Sequence, residues 1–121
     1  MQSVFLVEDS ASIRERLMRL FENVPGAQVI GQAADADEAI AAILAARPDV
    51  VLLDVQLEQS SGFDVLRAVH SLAPGIAFYM LSNFAAEPYR RHAERLGARG
   101  FFDKSTDFER LSDLVAQRAA S

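Results

Sequence analysis

Val50-Val51-Leu52-Leu53-Asp54 (VVLLD) decides how this chain folds. Four consecutive apolar residues, two of them β-branched, run straight into a carboxylate. The run is too short for a helix, and it lacks the apolar–polar alternation of a half-exposed strand. It reads as a strand covered on both faces, which is what the centre of a parallel sheet requires.

The flanking sequence repeats that unit. Upstream, Asp35 with Glu38 opens a helix whose apolar side is Ala39, Ile40, Ile43 and Leu44, and Pro48 stops it. Before it, Gln28–Ala33 is a weaker, more polar strand suited to a sheet edge. Val4–Val7 (VFLV) is another buried strand. Ile13, Leu17, Leu20, Phe21 and Val24 follow it at helical spacing, with Ser12 and Glu15 as a capping box and Pro25-Gly26 as the stop. Downstream, Ser61 and Asp64 open a helix carrying Val65, Leu66 and Val69, and Pro74-Gly75 turns the chain. Ile76–Leu81 is a strand. Tyr89, His92, Ala93 and Leu96 mark a helix ended by Gly97. Gly100–Phe102 begins a short strand, and Thr106 with Glu109 caps a last helix bearing Phe108, Leu111, Leu114 and Val115. Five strands alternating with five helices make an α/β fold, a doubly wound parallel sheet.

Composition narrows the function. At 121 residues the chain is one domain, with 50% hydrophobic and 24% charged residues. A net charge of −5 argues against nucleic-acid binding by this unit. No apolar run is long enough to cross a membrane, and the N-terminus has no basic segment of a signal peptide. With Cys 0 there is no disulfide, thiolate metal site or thiol nucleophile, and a cytoplasmic location is expected.

In an open parallel sheet, ligands bind beyond the carboxyl ends of the strands. Those ends carry Glu8-Asp9, Asp54, Ser82 and Lys104. Three carboxylates about 5 Å apart, at an effective dielectric of about 20, repel by roughly 3 kcal/mol per pair. A cation must sit among them or some must protonate. Oxygen ligands without His or Cys suit Mg²⁺, which keeps waters that a phosphoryl group can replace. Lys104 and Ser82 are placed to hold further phosphoryl oxygens, and Asp54 to attack phosphorus. Lys104 is the only lysine; the other 11 of the 12 basic residues are arginine, whose planar fork would not enter a small pocket.

Over essentially its whole length the chain resembles the receiver domain of two-component response regulators, of the stand-alone chemotaxis-regulator type. The resemblance rests on VFLVEDS, VVLLDVQLEQSSG, YMLSN and GARGFFDKS, in that order and at those strand ends. It implies a flavodoxin-like (βα)5 fold with strand order 2-1-3-4-5 and one response regulatory domain over residues 1–121. It also implies roles. Asp54 matches the phosphoacceptor, which also touches the metal. Asp9 matches a direct Mg²⁺ ligand, and Glu8 one acting through water. Gln56 sits where a backbone carbonyl ligates the metal. Ser82 matches the switch hydroxyl, Lys104 the phosphate-contacting lysine, Phe101 the switch aromatic, and Gly62 the glycine after the acceptor loop. A buried core role is the plain alternative for Phe101.

Some positions depart from the family pattern. Ser105 stands where proline often follows the lysine, so a cis peptide there is not expected. Glu58 replaces a common proline, and Phe101 lacks a phenol. Gln56 and Phe84 lie near the expected path of a hydrolytic water, and the bulk of Phe84 predicts slow dephosphorylation. Arg90, Arg91, Arg95 and Arg99 gather on and after the fourth helix, where they would meet an acidic partner. His70 and His92 fall on helices away from the strand ends and are not expected to be catalytic.

The function so implied is phosphorylation-controlled signalling. A histidine kinase or histidine phosphotransfer protein donates to Asp54 with Mg²⁺, and the surface of the fourth helix, fifth strand and fifth helix then controls a protein target. No DNA-binding output is expected after the last helix. The chain would catalyse only its own modification, as a monomer or a weak phosphorylation-linked dimer. A receiver-like binding module independent of phosphorylation is the alternative. A Mg²⁺-dependent phosphatase is weaker still, because Gln56 cannot serve as its second acid.

Overall fold

The computed structural model describes residues 1–83 and 87–120. The central sheet contains β1 (Gln2–Val7), β2 (Ala27–Ala33), β3 (Val50–Asp54), β6 (Ala77–Ser82) and β7 (Gly100–Asp103). Its spatial order is β2-β1-β3-β6-β7, with every pairing parallel. Counting only these strands, that is the expected 2-1-3-4-5. The helices are α1 (Ala11–Glu22), α2 (Ala36–Ala46), α3 (Gly62–Leu72), α4 (Glu87–Arg95) and α5 (Phe108–Ala120). A small antiparallel hairpin of β4 (Gln56–Leu57) and β5 (Ser60–Ser61), absent from the sequence expectation, lies between β3 and α3.

Alternation along the strands divides the core in two. Val51 and Leu53 of β3 face one side with Phe5, Val7, Phe78, Met80 and Phe101, packed under Ile43, Val65, Leu66 and Ala93 from α2, α3 and α4. Val50 and Leu52 face the other side with Leu6, Tyr79 and Phe102, packed under Leu17, Phe21, Leu111 and Val115 from α1 and α5. Each fully buried Leu, Val or Phe contributes roughly 1.5–3 kcal/mol relative to exposure. The unbroken apolar run of β3 is therefore needed: each of its side chains faces a helix layer, on one side or the other.

At the edge, the β1–β2 register shifts between Val4 and Phe5. Phe5 lies opposite Gly31, where a Cβ would come within 2.7 Å of the Phe5 ring. Ile30 is left out of the ladder and 42% exposed.

The helix starts follow the sequence with two corrections. Asp35 caps α2 by accepting from the Glu38 N–H at 2.9 Å, and Ser61 caps α3 from the Phe63 N–H at 3.1 Å. The cap of α1 is Ser10, not Ser12, because Ser10 has the extended backbone that a cap needs and its Oγ accepts from the Ile13 N–H. Helix α5 begins at Phe108, beyond Thr106. There the Asp107 carboxylate turns back to accept from the Asp103 N–H at 2.9 Å, and the Leu111 N–H donates to the Asp107 carbonyl.

Candidate functional site

Four strands end at one edge of the sheet, and each delivers a polar residue there. Ladder bonds run up to these positions. Glu8 N–H donates to the Ala33 carbonyl, Val55 N–H to Leu81, and Lys104 N–H to Ser82, all at 3.0 Å. Glu8, Asp54, Ser82 and Lys104 are all buried, at 1%, 4%, 3% and 8% exposure, while Asp9 is exposed. Together they line a cleft of about 610 Å³ that also includes Ser10, Gln56, Ser60 and Asn83. Nothing in the local sequence singles out Ser10 or Ser60 as lining residues. Asn83 had one available signal, its place directly after Ser82.

The amine stands between two acids. Lys104 Nζ is 2.7 Å from Glu8 Oε2 and 2.9 Å from Asp54 Oδ2. The other Glu8 oxygen accepts from the Ser10 N–H at 3.2 Å, and the other Asp54 oxygen from the Gln56 N–H at 3.3 Å. Burial dominates the titration of both acids. It pushes Glu8 up to about 7, against the pull of Lys104 and with the charge of Asp54 adding to the rise. It raises Asp54 as well, again against Lys104. Burial also works against the Lys104 ammonium, but the two carboxylates outweigh it and hold its pKa above the usual lysine value. One carboxylate oxygen from each of Glu8, Asp9 and Asp54 lies within 4.8 Å of the others. That hard-oxygen set, under mutual repulsion and half out of water, fits a small dication.

The loop after Asp54 is held from behind. The β4–β5 hairpin turns through Gln59, with a left-handed φ of 61°. The Gly62 N–H and the Ser61 hydroxyl both donate to the Val55 carbonyl, at 2.8 and 3.3 Å. A Cβ at Gly62 would collide with the Asp54 carbonyl oxygen, so glycine is the residue that lets α3 start this close to the end of β3.

Phe101 is not in the cleft. It is 8% exposed, packed in the core beneath α4, and Arg90 grips it from outside. The guanidinium donates to the Phe101 carbonyl at 3.2 Å and lies 5.2 Å from the ring centre. Gln56 is exposed at the mouth, with its N–H committed to Asp54. No peptide bond among the described residues is cis, including the one between Lys104 and Ser105. The Ser105 N–H and hydroxyl instead both donate to the Asp103 carboxylate. His70 packs against Gly97, and His92 meets the Phe63 ring edge-on at 4.6 Å; neither lines the cleft. Phe84 lies outside the described residues.

Comparisons with known proteins agree with this geometry. The family model of the response regulator receiver domain matches residues 4–116. The DNA-binding transcriptional activator DevR/DosR of Mycobacterium tuberculosis is 35% identical over 115 residues, covering 95% of this chain and 53% of that protein. Protein-glutamate methylesterase/protein-glutamine glutaminase 3 of Geobacter sulfurreducens is 35% identical over 103 residues, covering 85% of this chain and 28% of that protein. The chain thus spans about half or less of these relatives. Among solved structures, the chemotaxis protein CheY4 of Vibrio cholerae superposes with a TM-score of 0.85 at 30% identity, covering 98% of both chains. A LuxR-family two-component response regulator from Aurantimonas gives 0.91 at 28% identity, covering 99% of this chain and 86% of that one. No helix among the described residues is long and apolar enough to cross a membrane. A parallel sheet that ends in a cleft of three acids and one amine, matched by a family model over nearly all its length, places this chain among the response regulator receiver domains of two-component systems.

Proposed function

We propose that Asp54 accepts a phosphoryl group from a phosphohistidine, on a histidine kinase or a histidine phosphotransfer protein, and that the acyl phosphate switches the surface of α4, β7 and α5 toward a protein target. The observation that carries this is the Lys104 ammonium 2.9 Å from Asp54 Oδ2, beside a set of acids whose oxygens converge within 4.8 Å. Mg²⁺ would be held by Asp9 and Asp54, by Glu8 through water and by the Gln56 carbonyl, and when bound it supplies positive charge to the transferring oxygens.

The remaining chemistry belongs to the chain. An Asp54 oxygen attacks phosphorus in line with the donor's P–N bond. The new P–O bond forms as that bond breaks, and the imidazole leaves with its electron pair. Lys104 lies within reach of a phosphoryl oxygen as a point charge, and Ser82, at the end of the neighbouring strand, within reach of another. Burial assists, because each of these contacts acts where water is largely excluded. No turnover of an outside substrate is implied. Glu8 and Lys104 both face Asp54 rather than solvent, which favours phosphoacceptance over a binding module indifferent to phosphate.

Intact-mass analysis after treatment with acetyl phosphate tests this reading. The wild-type chain should gain one labile phosphoryl group only when Mg²⁺ is present, and Asp54→Asn should gain none. A wild type that stays unmodified refutes the proposal.

A further inference from the structure

Of the three acids that converge at the strand ends, Asp9 is the one that nothing holds by its side chain. Glu8 and Asp54 are both fastened to Lys104, at 2.7 and 2.9 Å. The Asp9 carboxylate is exposed and makes no hydrogen bond or ion pair with the described residues. One of its oxygens nonetheless lies within 4.8 Å of theirs. An exposed, unpaired carboxylate keeps such a place only if the backbone on either side of it is fixed.

Arg14, on the first turn of α1, fixes both sides. Its guanidinium donates to the carbonyl of Glu8, the residue before Asp9, at 2.6 Å. Its backbone N–H donates to the carbonyl of Ser10, the residue after, at 3.0 Å. The first of these bonds is charge-assisted and short. It is also the only hydrogen bond or ion pair of that side chain with the described residues, although Glu15 and Glu22 line the same cleft between α1 and β2. A half-buried arginine that bypasses two acids and spends its donor on a backbone carbonyl is placed to hold that carbonyl.

We propose that Arg14 is a positioning residue for the dication site: by holding the Glu8 carbonyl it sets the Asp9 carboxylate where a metal ion would meet it. This rests on the reading of Glu8, Asp9 and Asp54 as a Mg²⁺ site, and not on phosphoryl transfer. Charge and position predict opposite signs. A guanidinium near the site repels a dication, so an Arg14 acting only through its charge would weaken metal binding, and its removal would tighten it. An Arg14 that places Asp9 strengthens binding, and its removal weakens it, as happens with other groups that orient a metal's ligands.

The test is direct Mn²⁺ binding to the unphosphorylated full chain, read by electron paramagnetic resonance with Mg²⁺ as competitor. Arg14→Met keeps an unbranched apolar stem and removes the donors, so affinity for both ions should fall roughly tenfold with wild-type circular dichroism. Arg14→Lys keeps one donor and the charge, and should recover part of the loss. In an Asp9→Asn chain, Arg14→Met should change the remaining affinity by no more than about twofold, because the ligand it positions is gone. With acetyl phosphate, Arg14→Met should raise the Mg²⁺ needed for the half-maximal rate about tenfold and leave the rate at saturating Mg²⁺ within about twofold of wild type. Equal or tighter metal binding in Arg14→Met overturns the proposal. So does an equal loss in the Asp9→Asn background, or an Arg14→Lys chain that binds no better than Arg14→Met. If Arg14→Met does not fold, Arg14→Lys against wild type, with and without Asp9→Asn, makes the same comparison. A chain whose metal affinity falls as expected yet gains no phosphoryl group sinks the phosphoacceptor reading and leaves the role of Arg14 standing. A chain that is phosphorylated while its metal affinity ignores Arg14→Met does the reverse.

Discussion

A carboxyl group that is 1% exposed, such as Glu8, keeps its charge only with a cation beside it. Lys104 is shared with Asp54, so one cation serves two buried acids and Glu8 titrates near 7 instead of its ordinary 4.5. Below pH 4.5 both folded and unfolded chains hold this proton. Between 4.5 and about 7 the unfolded chain has released it and the folded chain has not. Unfolding then releases a proton, so metal-free stability should fall as pH rises through this window and level off above it. The raised pKa of Asp54 acts in the same direction. The loss is on the order of 1–3 kcal/mol, and Mg²⁺, bound to the ionised acids as proposed above, should restore it. Urea unfolding at about pH 5 and about pH 8, in chelator and in Mg²⁺, measures this; a flat chelator profile would contradict it. Lys104→Arg tests shape against charge. The Lys104 ammonium sits 2.7 and 2.9 Å from the two acids as a point charge, a geometry the wider planar fork of arginine does not reproduce, so phosphoryl uptake should drop at least roughly tenfold despite the retained charge. The sequence showed which residue types end each strand, since strand ends are local features. It did not show that the lysine bridges Glu8 as well as Asp54, because that depends on the lateral spacing of three strands.

Among the elements, the β4–β5 hairpin and the first turn of α3 act as one brace behind Asp54. Gly62 is its tightest point, with the Asp54 carbonyl occupying the space a side chain would need. Gly62→Ala should therefore cost about 1–3 kcal/mol by overpacking, seen as a lower urea midpoint. It should also slow phosphorylation more than a loss of stability alone predicts, because the group pushed aside is the end of β3 itself. Wild-type rates in a stably folded Gly62→Ala would disprove the brace. The long elements were legible because each repeats a period over many residues, as Leu17 and Phe21 do in α1. The hairpin was not, because two-residue strands have no period. The two misplaced helix starts share a cause. Several hydroxyls and acids stand in line before α1 and α5, and backbone conformation, which composition does not encode, selects Ser10 and excludes Thr106.

At the scale of the whole molecule, the cleft at Asp54 and an arginine cleft of about 350 Å³ lined by Arg90, Arg99 and Arg110 are joined through β6, β7 and α4. Ser82 lies opposite Asp103 in the β6–β7 pairing, and Phe101 lies opposite Met80 on the same strand pair. Phe101 has no phenol with which to fasten itself, and Arg90 supplies a substitute by holding its carbonyl and ring from α4. In the switch proposed above a phosphoryl group at Asp54 acts on this Phe101 clasp, and a carboxylate arriving at Arg90 would compete for the same guanidinium. Linkage then requires reciprocity: whatever factor a phosphoryl mimic adds to peptide affinity, the peptide adds to the affinity for the mimic. Beryllium fluoride with Mg²⁺ and an acidic probe peptide, Glu-Asp-Leu-Phe-Glu-Asp, allow all four corners of the cycle to be measured. A coupling of about tenfold, or about 1.4 kcal/mol, is expected in wild type. Ser82→Ala should bring the factor close to one while both ligands still bind, because in the proposed switch the hydroxyl links the cleft at Asp54 to the strand beside Phe101. Equal coupling in wild type and Ser82→Ala would mean that the two clefts communicate by another route, and no coupling in wild type would mean that they do not communicate.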